Sequence, residues 1–291
     1  MTTIIIIFSI FLVIVGSWYL YKQYQRKQRE KIYHQPFPAE WTVILENNFP
    51  LYLKLPDELK QQLQSHINVF INEKAFYGCD DLEVTDEIRV TIAAQACILL
   101  LNKPGNYFPN FQTILVYPGK FMSTQTYYDG YIQGKHKTVR LGESWRRGPV
   151  VISWQDAKAG AQNSQDGENV VMHEFAHKLD EENPDYEGLP VLSNSAHYES
   201  WAKVMSGEYN KLQQQYDRGH KDLIDHYGAT SPAEFFAVIT EIFFERPRAL
   251  QNKHSALYEE LVKFYRVNPK NWYKSKTNNS STSVPNHQQR W

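Results

Sequence analysis

Residues 170–180 read Val170, Val171, Met172, His173, Glu174, Phe175, Ala176, His177, Lys178, Leu179 and Asp180, and so contain H-E-x-x-H. On a helix, positions four apart lie about 40° apart around the axis and roughly 6 Å along it. The spacing therefore predicts a helix on which His173 and His177 point the same way, close enough for both imidazoles to reach one ion. Glu174 lies beside them and can hold a water rather than a metal. Two neutral nitrogen ligands and a carboxylate base are the parts of a zinc hydrolase site. With ten histidines in 291 residues, a chance match to this pattern is rare. Val170, Val171, Phe175, Ala176 and Leu179 make the segment nearly apolar, so the helix is expected to be buried. Two imidazoles and a carboxylate are costly to bury without partners.

Length and charge narrow the rest. A chain of 291 residues, 42% hydrophobic and 14% aromatic, can bury a sizeable core as one large domain or two smaller ones. A formal charge of −1 offers no global basic field, which argues against direct nucleic-acid binding. Cys79 and Cys97 are the only cysteines. A disulfide framework is not expected, and Cys97 in its Ala/Ile/Leu run reads as core.

Residues 4–20 form an uncharged, Ile-rich run ending in Trp18, Tyr19 and Tyr21, and Lys22, Arg26, Lys27, Arg29 and Lys31 follow it. No Lys or Arg precedes the run, and no small-residue cleavage site follows it, the reverse of a signal peptide. The expectation is an uncleaved single-pass anchor over residues 1–21 in a bacterial inner membrane, with the remainder on the cytoplasmic side. Residues 22–38 then read as a basic juxtamembrane linker closed by Pro36 and Pro38. Residues 39–105 read as a helical part, with Leu59, Leu63, Ile67 and Phe70 on one face after Pro56-Asp57, and a buried helix opening at a capping Thr85. Residues 106–272 read as the catalytic part and 273–291, rich in Ser, Asn, Thr and Gln, as a disordered tail. Within the catalytic part, residues 113–117 and 150–154 read as strands, and the Gly- and Tyr-rich segment 122–133 as loop and hairpin. Residues 150–154 are either an edge strand that pairs with extended substrate or an ordinary strand of the sheet.

Catalytic zinc usually has three protein ligands and one open position. The extended motif H-E-x-x-H-x-x-G-x-x-H fails here, since Asp180 stands at its glycine and Asn183 at its third ligand. Asp180 remains open as a ligand or as the partner that fixes an imidazole. Residues 231–244 begin Ser231-Pro232-Ala233-Glu234 and continue as an apolar helix with Glu234 and Glu241. Ser231 and Glu234 fit a capping box with proline at the first helical position, so Glu234 reads equally as a cap and as a ligand.

The segments LEVTDEIRVTIAAQACILLL, ILVYPGKF, GESWRRGPVVISW, DGENVVMHEFAHKLD and SPAEFFAVITEIFF resemble the Mlc titration factor (DgsA anti-repressor) family of bacterial zinc peptidases, from about residue 55 to 265. The resemblance implies an α+β, zincin-like fold of gluzincin type, similar also to the catalytic domain of anthrax lethal factor. It implies one zinc ion per chain on His173, His177 and Glu234, Glu174 as base, and Tyr227 as donor to the oxyanion. It implies aminopeptidase-like hydrolysis of a peptide or protein substrate. The family's name also implies a different role, sequestration of a transcriptional repressor of sugar uptake. The remaining histidines show no ligand-like pairing, His226 beside Tyr227 being the one placed to matter.

Overall fold

The computed structural model describes residues 2–273 except 104–106, 120, 130–131, 141, 145–147, 184–186 and 220–221; the side chains of 2–6 and 121–144 are not described. Of the tail expected at 273–291, only Tyr273 lies within these residues. The N-terminal run forms α1 (Thr2–Tyr33), which passes without a break from the apolar stretch into the charged one. The expected membrane-spanning helix is not borne out: among the described residues no helix is long and apolar enough to cross a membrane. The inner-membrane location and the membrane partnership expected from this helix fall with it. The C-terminal end of α1 is tied down instead. Arg29 donates through Nε and Nη2 to both carboxylate oxygens of Glu73, at 2.6 and 2.9 Å, and the Tyr33 ring meets His66 edge-on at 5.5 Å.

Two short helices, α2 (Ala39–Asn48) and α3 (Pro50–Lys54), lead to α4 (Asp57–Glu73) and β1 (Ala75–Gly78). The apolar stripe of α4 does what its spacing predicts, with Leu63, Ile67 and Phe70 fully buried. Thr85 caps α5 (Asp86–Cys97) by accepting from the Ile88 N–H, and Val90 to Cys97 are buried. Then come β2 (Thr113–Tyr117), β3 (Phe121–Asp129), β4 (Ile132–Arg140), β5 (Gly142–Ser144) and β6 (Val150–Ser153). β3 and β4 pair antiparallel as a separate ribbon, the hairpin expected of this stretch.

The other strands form one sheet in the order β1-β2-β6-β5. β1, β2 and β6 are parallel and β5 runs antiparallel to β6. β6 is thus an interior strand, buried at all four residues, as a continuous Val/Ile run with helices on both faces should be. The edge on that side is β5, which lies against the H-E-x-x-H helix. The remaining helices are α6 (Trp154–Gln162), α7 (Val170–Asp180), α8 (Ser195–Asp217), α9 (Pro232–Glu245), α10 (Pro247–Lys253) and α11 (Ser255–Tyr265). The chain is therefore mostly helical with a small sheet. α7 and α9 are packed together at its centre, and every residue of α9 from Phe235 to Glu245 is buried. Phe175 of α7 anchors the helix in an aromatic nest of Phe70, Phe108 and Phe111, with ring centroids 5.6, 4.9 and 5.7 Å away.

Candidate metal centre

Local sequence sets both helices that build the site. Asn169 is the N-cap of α7 and accepts from the Met172 N–H at 2.9 Å, which satisfies one of the helix's orphan donors. Val171, Met172, Phe175 and Ala176 are fully buried and fix the rotation of α7, so His173 and His177 are presented together towards α9. Ser231 caps α9 by accepting from the Glu234 N–H at 3.2 Å, with Pro232 at the first helical position. The two readings of Glu234 are compatible. Its backbone is capped, while its carboxylate turns to the histidines.

His173 Nε2 lies 2.9 Å from Glu234 Oε2, His177 Nε2 lies 3.4 Å from the same oxygen, and the two Nε2 atoms are 3.2 Å apart. Among the described residues these three side chains form the one group of His, Cys, Asp and Glu able to hold a metal ion. Zinc bound at about 2.0–2.1 Å in tetrahedral geometry requires its donors to stand roughly 3.3–3.4 Å apart. The triangle has nearly that size before any ion draws on it. Two imidazole nitrogens and a carboxylate oxygen are also the donor set this metal prefers. The residues fit a zinc ion.

Behind this triangle lies a buried polar network. His173 Nδ1 lies 2.7 Å from Glu241 Oε1, and the other oxygen of Glu241 accepts from the Asn169 backbone N–H. The Asn169 side chain donates to Glu245 Oε1 at 3.0 Å, and the Gly167 N–H donates to Glu245 Oε2 at 3.1 Å. A carboxylate on Nδ1 holds that nitrogen as the N–H and leaves Nε2 as the lone-pair donor. Burial pushes Glu241 up from its ordinary value and Glu245 up to about 9. Burial opposes the charged form of His173, but its hydrogen bonds to Glu234 and Glu241 outweigh this and push its pKa up to about 10. Burial acts upward on Glu234 too, yet the two imidazoles hold its carboxyl well below the usual range. The carboxylates thus call for positive charge at the triangle, which a cation supplies.

Glu174 is 5% exposed, and its Oε2 accepts no hydrogen bond. Burial pushes its pKa up to about 6 against the pull of His173 and His177, so it can take and return a proton near neutral pH. Tyr227, in the turn His226–Ala229, has its ring centroid 5.9 Å from that of His173 and is 53% exposed. It stands on the solvent side of His173. Asp180 is not a member of the donor group. Its Oδ2 accepts from the Gly188 N–H at 2.8 Å, and Asn183 Nδ2 donates to Leu189 O at 2.8 Å. Both brace the loop after α7. His226 meets the Tyr216 ring edge-on at 5.2 Å.

Sequence reasoning noticed Glu241 only as an acid in an apolar helix and missed Asn169 and Glu245. A signal was present. Glu234, Glu241 and Glu245 are seven and four residues apart, on one face of α9, and Asn169 directly precedes the histidine helix.

Residues 22–266 match the glucose-regulated metallo-peptidase M90 family. The chain is 40% identical over 266 residues to an uncharacterized protein of Synechocystis sp., covering 91% of this chain and 97% of the relative. It is 31% identical over 242 residues to Mlc titration factor A of Pectobacterium atrosepticum, covering 82% and 90%. Against Mlc titration factor A of Yersinia pestis it is 29% identical over 249 residues, covering 83% and 90%. The resemblance read from the sequence segments is borne out, and the chain belongs to the glucose-regulated metallo-peptidase M90 family.

Proposed function

We propose that this chain is a zinc-dependent, aminopeptidase-like peptidase with one zinc per molecule held by His173, His177 and Glu234. The observation that carries this is the convergence of those three donor atoms beside a buried carboxylate, Glu174, whose Oε2 has no hydrogen-bond partner. A zinc ion bound there supplies Lewis acidity that polarises a carbonyl and lowers the pKa of water. Glu174 takes the proton of the attacking water at its carboxylate and returns it to the leaving amine. Tyr227 donates its phenolic hydrogen to the oxygen on which negative charge develops. The Nδ1–H···Oε1 contact between His173 and Glu241 keeps the imidazole oriented through the cycle. β5 is the terminal strand of the sheet among the described residues, the position at which an extended peptide would add.

The test is hydrolysis of unblocked aminoacyl and short peptide substrates by the full-length zinc-loaded chain, against Glu174→Gln with equal zinc content. Cleavage by the first and not the second is expected. If neither cleaves although both hold zinc, the catalytic reading fails. A second reading then takes its place, favoured by the relatives' name, Mlc titration factor: the chain binds a transcriptional repressor and removes it from action. Under that reading Glu174→Gln retains the biological effect.

A further inference from the structure

A cavity of about 220 Å³, lined by none of the metal-triangle residues, lies between the C-terminal end of α7, the loop leading to α8 and the end of α11. Leu100, Leu179, Leu192 and Phe264 give it an apolar floor, and Lys103, Lys263 and Arg266 stand over that floor. Lys103 Nζ sits 3.5 Å from the centroid of the Phe264 ring. Lys263 Nζ donates to Glu260 Oε1 at 2.8 Å, and Glu182 also lines the cavity. Lys103, Lys263 and Arg266 stand against two acids, Glu182 and Glu260, so basic side chains outnumber acidic ones by one. His197 adds a buried imidazole whose Nε2 lies 3.4 Å from Glu260 Oε2.

We propose that this cavity is a binding site for a small apolar monoanion, an acyl or aminoacyl body ending in one carboxylate. The proposal does not depend on the peptidase reading. An excess of one basic side chain suits a carboxylate better than a dianionic phosphate, and the apolar lining suits an apolar body. The volume is below the about 300–1,000 Å³ of drug-sized sites, so the ligand is on the order of one amino-acid residue. Lys103 gains most from such a ligand, because burial holds its pKa down to about 7 and a carboxylate would restore its charge. The position bears on the metal centre. Pro190 to Ser193 of the lining follow Gly188, which Asp180 holds and which abuts Pro232 at the start of α9. The same chemistry is offered by a free small acid and by the C-terminus of a peptide.

Calorimetric titration of the full-length chain decides the matter, with the Glu174→Gln background preventing turnover. The probes are N-acetylleucine and an N-acetylated hexapeptide ending in leucine, each against its C-terminal amide. The acids are expected to bind one to one and the amides about tenfold more weakly, the loss of a charge-assisted contact. Arg266→Gln and Val191→Trp, both at exposed positions, should each weaken the acids about tenfold with the thermal midpoint unchanged. Binding of N-acetylleucine alone assigns the site to free acids, and binding of the peptide acid assigns it to C-termini. Acid and amide binding alike, no binding of either acid, or indifference to both substitutions overturns the proposal.

Discussion

Glu241→Gln tests the metal centre at the point where it differs most from an ordinary buried acid. Glu241 is an acceptor twice over, from His173 Nδ1 at 2.7 Å and from the Asn169 backbone N–H, and it is 7% exposed. A glutamine has one acceptor oxygen and one donor amide. If the oxygen serves His173, the amide faces the Asn169 N–H, and a buried donor goes unpaired at a cost of about 1–3 kcal/mol. If the amide turns to His173 instead, Nδ1 must accept, the proton moves to Nε2, and the lone pair offered to the metal is lost. Removing such a carboxylate typically weakens metal affinity 10–100-fold, or about 1.4–2.7 kcal/mol. Zinc affinity measured by competition with a chromophoric chelator should fall within that range. Denaturant unfolding of the metal-free proteins should show the variant about 1–3 kcal/mol less stable. The opposite expectation is concrete as well. Burial already holds the pKa of Glu241 above its ordinary value, so a residue that only filled the helix would become more stable when neutralised. A Glu241→Gln protein that binds zinc as tightly as wild type and unfolds no more easily refutes the orienting role.

Three further outcomes are expected. Gly188 has φ +71°, and a Cβ there would lie 2.5 Å from Pro232 O, so Gly188→Ala should cost about 1–3 kcal/mol. It should also weaken zinc binding, because Pro232 opens the helix that carries Glu234; a normal chelator-competition curve would exclude that coupling. Tyr227→Phe should lower kcat about 10²–10³-fold with zinc affinity unchanged, and an unaltered kcat would remove Tyr227 from the oxyanion. His66 is buried, its Nδ1 lies 2.7 Å from the Tyr107 hydroxyl oxygen, and burial pushes its pKa down to about 4. Below its ordinary value near 6.5 the unfolded chain takes up a proton there that the folded chain refuses. Stability should therefore fall as pH drops from 6.5 towards 4, by about 3 kcal/mol in all. His66→Phe should lack this part of the acid slope, and equal slopes in the two proteins would disprove it.

The sequence disclosed the parts of this molecule whose cause is local. H-E-x-x-H is a statement about helix periodicity, and α7 obeys it because Val171, Phe175 and Ala176 fix which way the histidines face. Thr85 and Ser231 announced their helix starts for the same reason, since a cap acts within three residues. Position in a sheet is not local. Val150–Ser153 has the composition of a strand, but whether it lies inside or at the edge depends on β5 folding back antiparallel beside it. The unbroken run Val150-Val151-Ile152 was the available hint, because an edge strand that receives substrate is rarely apolar on both faces.

Glu241 marks the same divide at higher stakes. It is 68 residues from His173 in the chain, and nothing in its neighbours names a partner. What the sequence does contain is an energetic contradiction, three carboxylates on one face of a helix otherwise apolar except for Thr240. An ionised carboxylate does not stay buried unless cations or donors meet it. Glu234 is met by two imidazoles, Glu241 by an imidazole and the Asn169 backbone, and Glu245 by Asn169 and Gly167. All of these donors come from residues 167–177, so the burden of α9 alone requires that the histidine helix and its N-cap pack against it. The contradiction within one helix thus specifies the tertiary contact that builds the site.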